Sequence, residues 1–125
     1  MADPEFLLDA NICIYILEGR SERAAERFTS CAVGQLVTSA VAYAEVMIGA
    51  VRRDKLDEAA SLFEQIQVLP FDAAAADIYA HMPFKRGSYD RLIASQALAL
   101  GLTVVTSNES DFANVPGLKV EDWTQ

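Results

Sequence analysis

Four acidic side chains stand where carboxylates can do chemistry. Asp9 ends the short apolar run Phe6-Leu7-Leu8, and Glu45 sits on the border of a helical apolar stripe, close to Val41 and Ile48. Asp90 opens a helical segment inside the basic run Lys85-Arg86-Gly87-Ser88-Tyr89-Asp90-Arg91, and Asp111 follows the polar cluster Thr106-Ser107-Asn108. Oxygen ligands without histidine or cysteine suit hard cations such as Mg2+ or Mn2+ and argue against zinc. A hard cation that keeps several of its waters can present one of them to a phosphodiester and neutralise charge as the bond breaks. That is hydrolytic nuclease chemistry. Lys85, Arg86 and Arg91 surround Asp90 with cations that would draw a phosphate backbone toward it.

Each acid also has a simpler role. Asp9 is placed to cap a helix, Glu45 to be a solvated border residue, and Asp90 to complement a helix dipole. Asp111 can begin a short turn in which Asn108 is a turn residue. A glutamate on a helix border turns inward only toward a strong partner, because an unpaired buried carboxylate is costly. A metal would be such a partner.

The elements that must position these acids alternate along the chain. Phe6 to Leu8 reads as a strand buried on both faces, followed by a helix from Asn11 to Leu17 stopped by Gly19. A second helix is predicted over Glu22 to Cys31 and a strand over Gln35 to Thr38, with Ser39 capping a helix from Ala40 to Arg53. The spacing of Val41, Ala44, Met47, Ile48 and Val51 predicts the face of that helix that meets the core. Asp54 is placed to start another helix. Val68 to Phe71 reads as an edge strand because of Pro70, and Asp72 can cap an alanine-rich helix ending before Pro83. Gly87-Ser88 launches a helix from Tyr89 to Leu100 closed by Gly101. A strand follows over Thr103 to Thr106, with a fifth expected at Lys119-Val120. The fold class is α/β: a parallel central sheet of four to five short strands flanked by helices, joined by right-handed crossovers. Ligands of such sheets bind beyond the carboxyl ends of the strands.

The chain has 125 residues, which fits one domain over residues 1–125, with residues 1–5 an irregular lead-in of the kind left by an expression vector. Apolar residues make up 52% and charged residues 22%, which excludes disorder. No stretch is long and apolar enough to cross a bilayer and no secretory leader is visible, so a cytoplasmic location without membrane attachment is expected. Cys13 and Cys31 read as buried reduced thiols. A net charge of -8 argues against a nucleic-acid partner unless some of the acids are there to bind cations.

Three stretches then carry a specific resemblance: Leu7-Leu8-Asp9-Ala10-Asn11, Thr38-Ser39-Ala40-Val41-Ala42-Tyr43-Ala44-Glu45-Val46, and Tyr89-Asp90-Arg91-Leu92-Ile93-Ala94. With the ending Val104 to Phe112, Val115-Pro116-Gly117-Leu118 and Glu121-Asp122-Trp123, the chain from Phe6 to Trp123 resembles the PIN-domain ribonucleases, specifically the VapC-type toxins of toxin-antitoxin pairs. The resemblance implies a PIN-like fold and an endoribonuclease dependent on Mg2+ or Mn2+, acting on tRNA or ribosomal RNA. Asp9, Glu45 and Asp90 match the family's three acidic positions. A fourth acidic position falls on Asn108 or on Asp111, with Asp111 favoured, while Asn11 and Thr106 fit roles in orienting Asp9 or a metal-bound water. The stretch from Ile78 to Tyr89 is shorter than in some relatives. The resemblance further implies a VapB-type antitoxin whose basic tail blocks the acidic pocket, which suits an acidic toxin, and a homodimer.

Other residues carry less. His81 is expected to be a surface or packing residue, and Trp123 and Phe112 packing anchors. Arg23 and Arg27, interleaved with Glu22 and Glu26, read as a self-paired helix face. Two other functional classes compete. A phosphoacceptor signalling domain would use Asp9, Asp72, Thr106 and Lys119 but would leave Glu45 and Asp90 without roles. A non-catalytic binding module would use the same fold only to hold a partner.

Overall fold

A computed structural model describes residues 1–83 and 88–125. The strands are β1 (Phe6–Leu8), β2 (Leu36–Ser39), β3 (Gln67–Leu69), β4 (Thr103–Thr106) and β5 (Val120–Asp122). The helices are α1 (Ala10–Glu18), α2 (Glu22–Ser30), α3 (Ala40–Arg52), α4 (Leu56–Gln65), α5 (Ala73–Ala80) and α6 (Tyr89–Leu100), with a 3-10 turn at Glu109–Phe112. The strands form one parallel sheet in the order β3-β2-β1-β4-β5. The chain builds outward from β1 through β2 to β3, then crosses back to lay β4 on β1's other side. The order therefore reverses between β1 and β4, and in open parallel sheets the carboxyl ends of the strands at such a reversal are where ligands bind.

Local chemistry sets most of the boundaries. The Asp9 carboxylate accepts the Ile12 N–H at 2.8 Å, Ser39 Oγ accepts the Val41 N–H at 3.0 Å, and Asp72 accepts the Ala75 N–H at 3.0 Å, starting α1, α3 and α5. Leu7, Leu8, Val37, Val104 and Val105 are fully buried, as central strands covered on both faces require. β3 ends before Pro70, at the sheet edge, where a missing N–H costs no ladder bond.

Several expectations are corrected. α3 turns only part of the expected face inward: Val41 packs half-buried against the core, but Ala44 is exposed, Ile48 is 51% and Val51 64% exposed, and the buried residues are Ala42, Val46 and Ala50. The helix is apolar nearly all round, so periodicity alone allowed both faces. We attribute the choice to side-chain size: α1 packs on α3, and small residues let the two backbones approach. Asp54 is not a cap but a turn residue at φ 56°, and α4 begins at Leu56 without a side-chain cap. The fifth strand lies at Val120–Asp122 rather than at Lys119-Val120. The lead-in is tied down: the Ala2 N–H donates to Val33 O at 2.8 Å and the Glu5 N–H to Gln35 O at 2.9 Å. Gly34, at φ 93°, leaves space for Met1 that a Cβ would fill.

The remote ends of the chain meet at Trp123, which is 1% exposed and sits edge-on to Phe6 with ring centroids 5.3 Å apart. Its indole N–H donates to Glu121, which also accepts from Arg27 at 2.9 Å, and the Arg27 guanidinium lies 4.8 Å from the Trp123 ring. Arg27 is thus spent on β5 rather than on the acids of its own helix. On the opposite side, the Gln96 amide donates to Leu69 O and Pro70 O, clamping α6 to the end of β3.

The two faces of α3 should separate in stability. Val46→Ala is expected to cost about 1–3 kcal/mol and Ile48→Ala within about 0.5 kcal/mol, measured by urea unfolding.

Candidate metal centre

Asp9 is the residue the sheet order places most firmly. Its backbone N–H continues the β1–β4 ladder by donating to Val105 O at 3.0 Å, so its side chain emerges at the crevice between the two strands. Thr38, on the other neighbouring strand, donates its hydroxyl to Leu8 O at 2.7 Å and fixes the peptide just before Asp9. Thr38 opens one of the stretches that carry the resemblance, but as a strand residue it reads as an ordinary β-former, with no sign of this contact. The Asp9 side chain is 1% exposed. One carboxylate oxygen holds the Ile12 N–H; the other, Oδ2, is buried without a hydrogen-bond partner.

Burial pushes the Asp9 carboxyl up from 3.8 to about 7; the nearby Thr106 hydroxyl and the Ile12 N–H offset part of this, and the charges of Asp90 and Asp111 raise it further. Glu45 is half-buried on α3 with Oε1 enclosed and unpartnered, and its carboxyl is raised by burial and then by Asp90. Asp90, in the first turn of α6, therefore acts on both Asp9 and Glu45, and Asp111 acts on Asp9. Asp90 thus lies near both Asp9 and Glu45, and Asp111 near Asp9.

Among the described residues no three acids already stand at metal-ligating spacing. The donor chemistry nevertheless fits a hard divalent ion: two enclosed carboxylate oxygens, Asp9 Oδ2 and Glu45 Oε1, make no well-formed hydrogen bond, with the Thr106 hydroxyl near Asp9. Cys13, fully buried nearby, supplies no soft ligand, because burial and then the charge of Asp9 keep its thiol protonated.

The remaining candidates divide. Thr106 lies at the end of β4 beside Asp9, with its Oγ1 accepting the Asn108 N–H at 3.1 Å. Asn108 is exposed and caps the 3-10 turn through Ser110, while its amide donates to Asp111 at 3.3 Å. Asn11 makes no hydrogen bond to Asp9. It is exposed on α1, beside a groove of about 720 Å³ whose floor is Ile14, Leu17, Val46, Gly49 and Ala50. Arg91 donates to Pro83 O at 2.9 Å. Lys85 and Arg86 fall outside the described residues. Asp72, needed by a phosphoacceptor domain, follows the edge strand β3, two strands from β1, and caps α5. Trp123 and Phe112 are buried anchors, and exposed His81 bonds its own helix at Asp77 O.

A five-stranded parallel sheet flanked by helices, with a buried aspartate at its switch point, places the chain among the open-sheet α/β domains. The chain matches the PIN domain family over residues 6–118 and belongs to that family. It is 34% identical over 131 aligned positions to the tRNA(fMet)-specific endonuclease VapC of Shigella flexneri, covering 96% of this chain and 98% of that one. It is 30% identical to ribonuclease VapC1 of Haemophilus influenzae strain R2866, covering 96% and 98%. In three dimensions it resembles a chain of the DNA-bound VapBC crystal structure from Salmonella typhimurium, with a TM-score of 0.87, 29% identity and coverage of 96% and 98%. The PIN-like α/β fold and the kinship with VapC ribonucleases stand as the residues implied.

The raised carboxyl of Asp9 fixes a pH dependence. Folding raises its pKa, so the stability it contributes is complete below about 4 and is lost as pH rises through about 7. Without metal, Asp9→Asn should therefore stabilise the protein at pH 8, by an amount on the order of a few kcal/mol, and make no such gain at pH 4. Thermal melts of both proteins in EDTA across that range check this.

Proposed function

We propose that the chain is a divalent-metal-dependent endoribonuclease, the toxin of a VapBC-type pair, that uses Mg2+ or Mn2+ to hydrolyse phosphodiesters in cytoplasmic tRNA or ribosomal RNA. The observation that carries the reading is the buried, unpartnered Oδ2 of Asp9 at the sheet's switch point, with Asp90 and Asp111 close enough to raise its pKa. Asp9, Glu45, Asp90 and Asp111 would hold the ion, and Asn108 would orient Asp111. When bound, the ion would supply an activated water and neutralise charge developing on the phosphate. Thr106 would steady Asp9 at the mouth of the crevice. Lys85 and Arg86 would help draw the RNA backbone in. Arg91, bonded to Pro83 O, would do so only by releasing that contact. The named specificity of the Shigella relative for tRNA(fMet) makes tRNA the first substrate to try.

A VapB-type antitoxin would find two complementary features: the acidic crevice for basic side chains, and the groove between α1, α3 and α4 for an apolar segment. The rim of that groove carries Glu18, Arg20, Arg53, Lys55 and Glu58, with Glu18 bridging Arg20 at 2.8 Å and Arg53 at 2.9 Å. A second copy of this chain would meet the exposed α3 stripe of Ala44, Ile48 and Val51. No charged side chain interrupts that stripe, so it offers two chains of -8 a surface for close approach.

Purified protein should cleave bulk tRNA in Mg2+ and not in EDTA. Asp9→Asn and Asp90→Asn should each lower the rate at least about a hundredfold, and Glu45→Gln should lose activity while melting as a folded protein. Equal cleavage with and without EDTA would contradict the reading. Ile48→Glu should convert a dimer to a monomer by light scattering; a wild-type monomer would remove the α3 assignment.

A further inference from the structure

The peptide that joins Leu8 to Asp9 is held from both neighbouring strands. Its N–H donates to Val105 O on β4 at 3.0 Å, and its carbonyl accepts the Thr38 hydroxyl on β2 at 2.7 Å. One helical turn on, the Asp9 carbonyl accepts the Cys13 N–H at 3.2 Å. The bonds made by Val105 and Cys13 run between main-chain groups, so other side chains at those positions leave them in place. The bond from Thr38 depends on a side chain.

Thr38 stands where the sheet would accept an apolar residue. It is fully buried, level with Leu8 in the β1–β2 register, and the two residues before it are the buried Leu36 and Val37. A buried hydroxyl costs free energy unless it is bonded, whereas valine keeps the β-branched shape without that cost. The hydroxyl of Thr38 goes to the one carbonyl whose peptide leads directly into Asp9. A trans peptide is planar and rigid, so fixing both its C=O and its N–H fixes the Asp9 Cα and the direction in which its side chain leaves the sheet. Hydrogen bonds one step removed from a metal site orient its carboxylates in this way.

We propose that Thr38 is a positioning residue: by holding the Leu8 carbonyl it aims the Asp9 carboxylate, and so sets the affinity of the centre for its divalent ion. This rests on the metal-dependent reading above, which makes Asp9 a ligand. Being fully buried, Thr38 itself reaches neither solvent nor substrate. Its donated hydrogen bond is the feature that matters, so serine can take its place and valine cannot.

The test follows Mn2+ binding to the whole chain by electron paramagnetic resonance without RNA, and tRNA cleavage against Mg2+ concentration. Thr38→Val should weaken Mn2+ binding about tenfold. It should raise the Mg2+ concentration for half-maximal cleavage by the same factor, with the rate at saturating Mg2+ little changed. Thr38→Ser should restore both values. Thr38→Ala, which also lacks the donor, should repeat the loss and replaces the valine variant if that chain does not fold. Val37→Ala removes buried bulk from the same strand but leaves the Leu8 carbonyl its donor; it should lower the melting temperature and keep the Mn2+ affinity. Unchanged Mn2+ affinity in Thr38→Val and Thr38→Ala, an equal loss in Thr38→Ser, or an equal loss in Val37→Ala would overturn the proposal while leaving the metal-dependent reading intact. A wild-type chain that binds no Mn2+ overturns that reading, and the role of Thr38 with it.

Discussion

The structure turns on a carboxylate buried at the place where the sheet reverses its strand order. Asp9 cannot avoid that position: its backbone is locked into the β1–β4 ladder, Thr38 secures the preceding carbonyl, and one of its oxygens caps α1. The remaining oxygen is enclosed and makes no well-formed hydrogen bond, with the Thr106 hydroxyl nearby. An arrangement of this kind costs stability wherever the carboxylate is ionised, and burial raises its pKa to about 7 accordingly. Asp90 and Asp111 nearby make the cost larger. Under the proposed function, a cation shared among these groups would reverse the sign of each of those interactions.

The rest of the fold can be seen as the means of bringing the other acids to Asp9. α3 projects from the end of β2 and carries Glu45, and α6 delivers Asp90 while Gln96 clamps that helix to the end of β3. The turn after β4 delivers Asp111 with Asn108 holding it. The clamp of Arg27, Glu121 and Trp123 closes the far side of the sheet, so that β5 supports β4 and β4 supports Asp9.

Much of this was legible in the residues. The strands of the inner sheet announced themselves as short apolar runs, and Asp9, Ser39 and Asp72 announced the helices they cap, because capping and two-sided burial are local in sequence. The buried face of α3 was not legible, since a helix apolar all round leaves the choice to the size of what packs against it. Arg27 was misjudged for a related reason: its partner Glu121 lies 94 residues away, and nothing local competes with the nearer glutamates in a sequence reading. Among the candidate site residues, the nearness of Asp90 to Asp9 and Glu45 could not be read from positions far apart in the chain, and neither could the Asn108–Asp111 hydrogen bond, which depends on the turn geometry.

The most direct measurement of the account is the titration of the Asp9 side-chain carboxyl by carbon NMR, with and without Mg2+. Metal-free protein should show a midpoint near 7, and Mg2+ should drive that midpoint below the ordinary carboxylate range. A midpoint unmoved by Mg2+ would contradict the claim that this carboxylate is built to hold a cation.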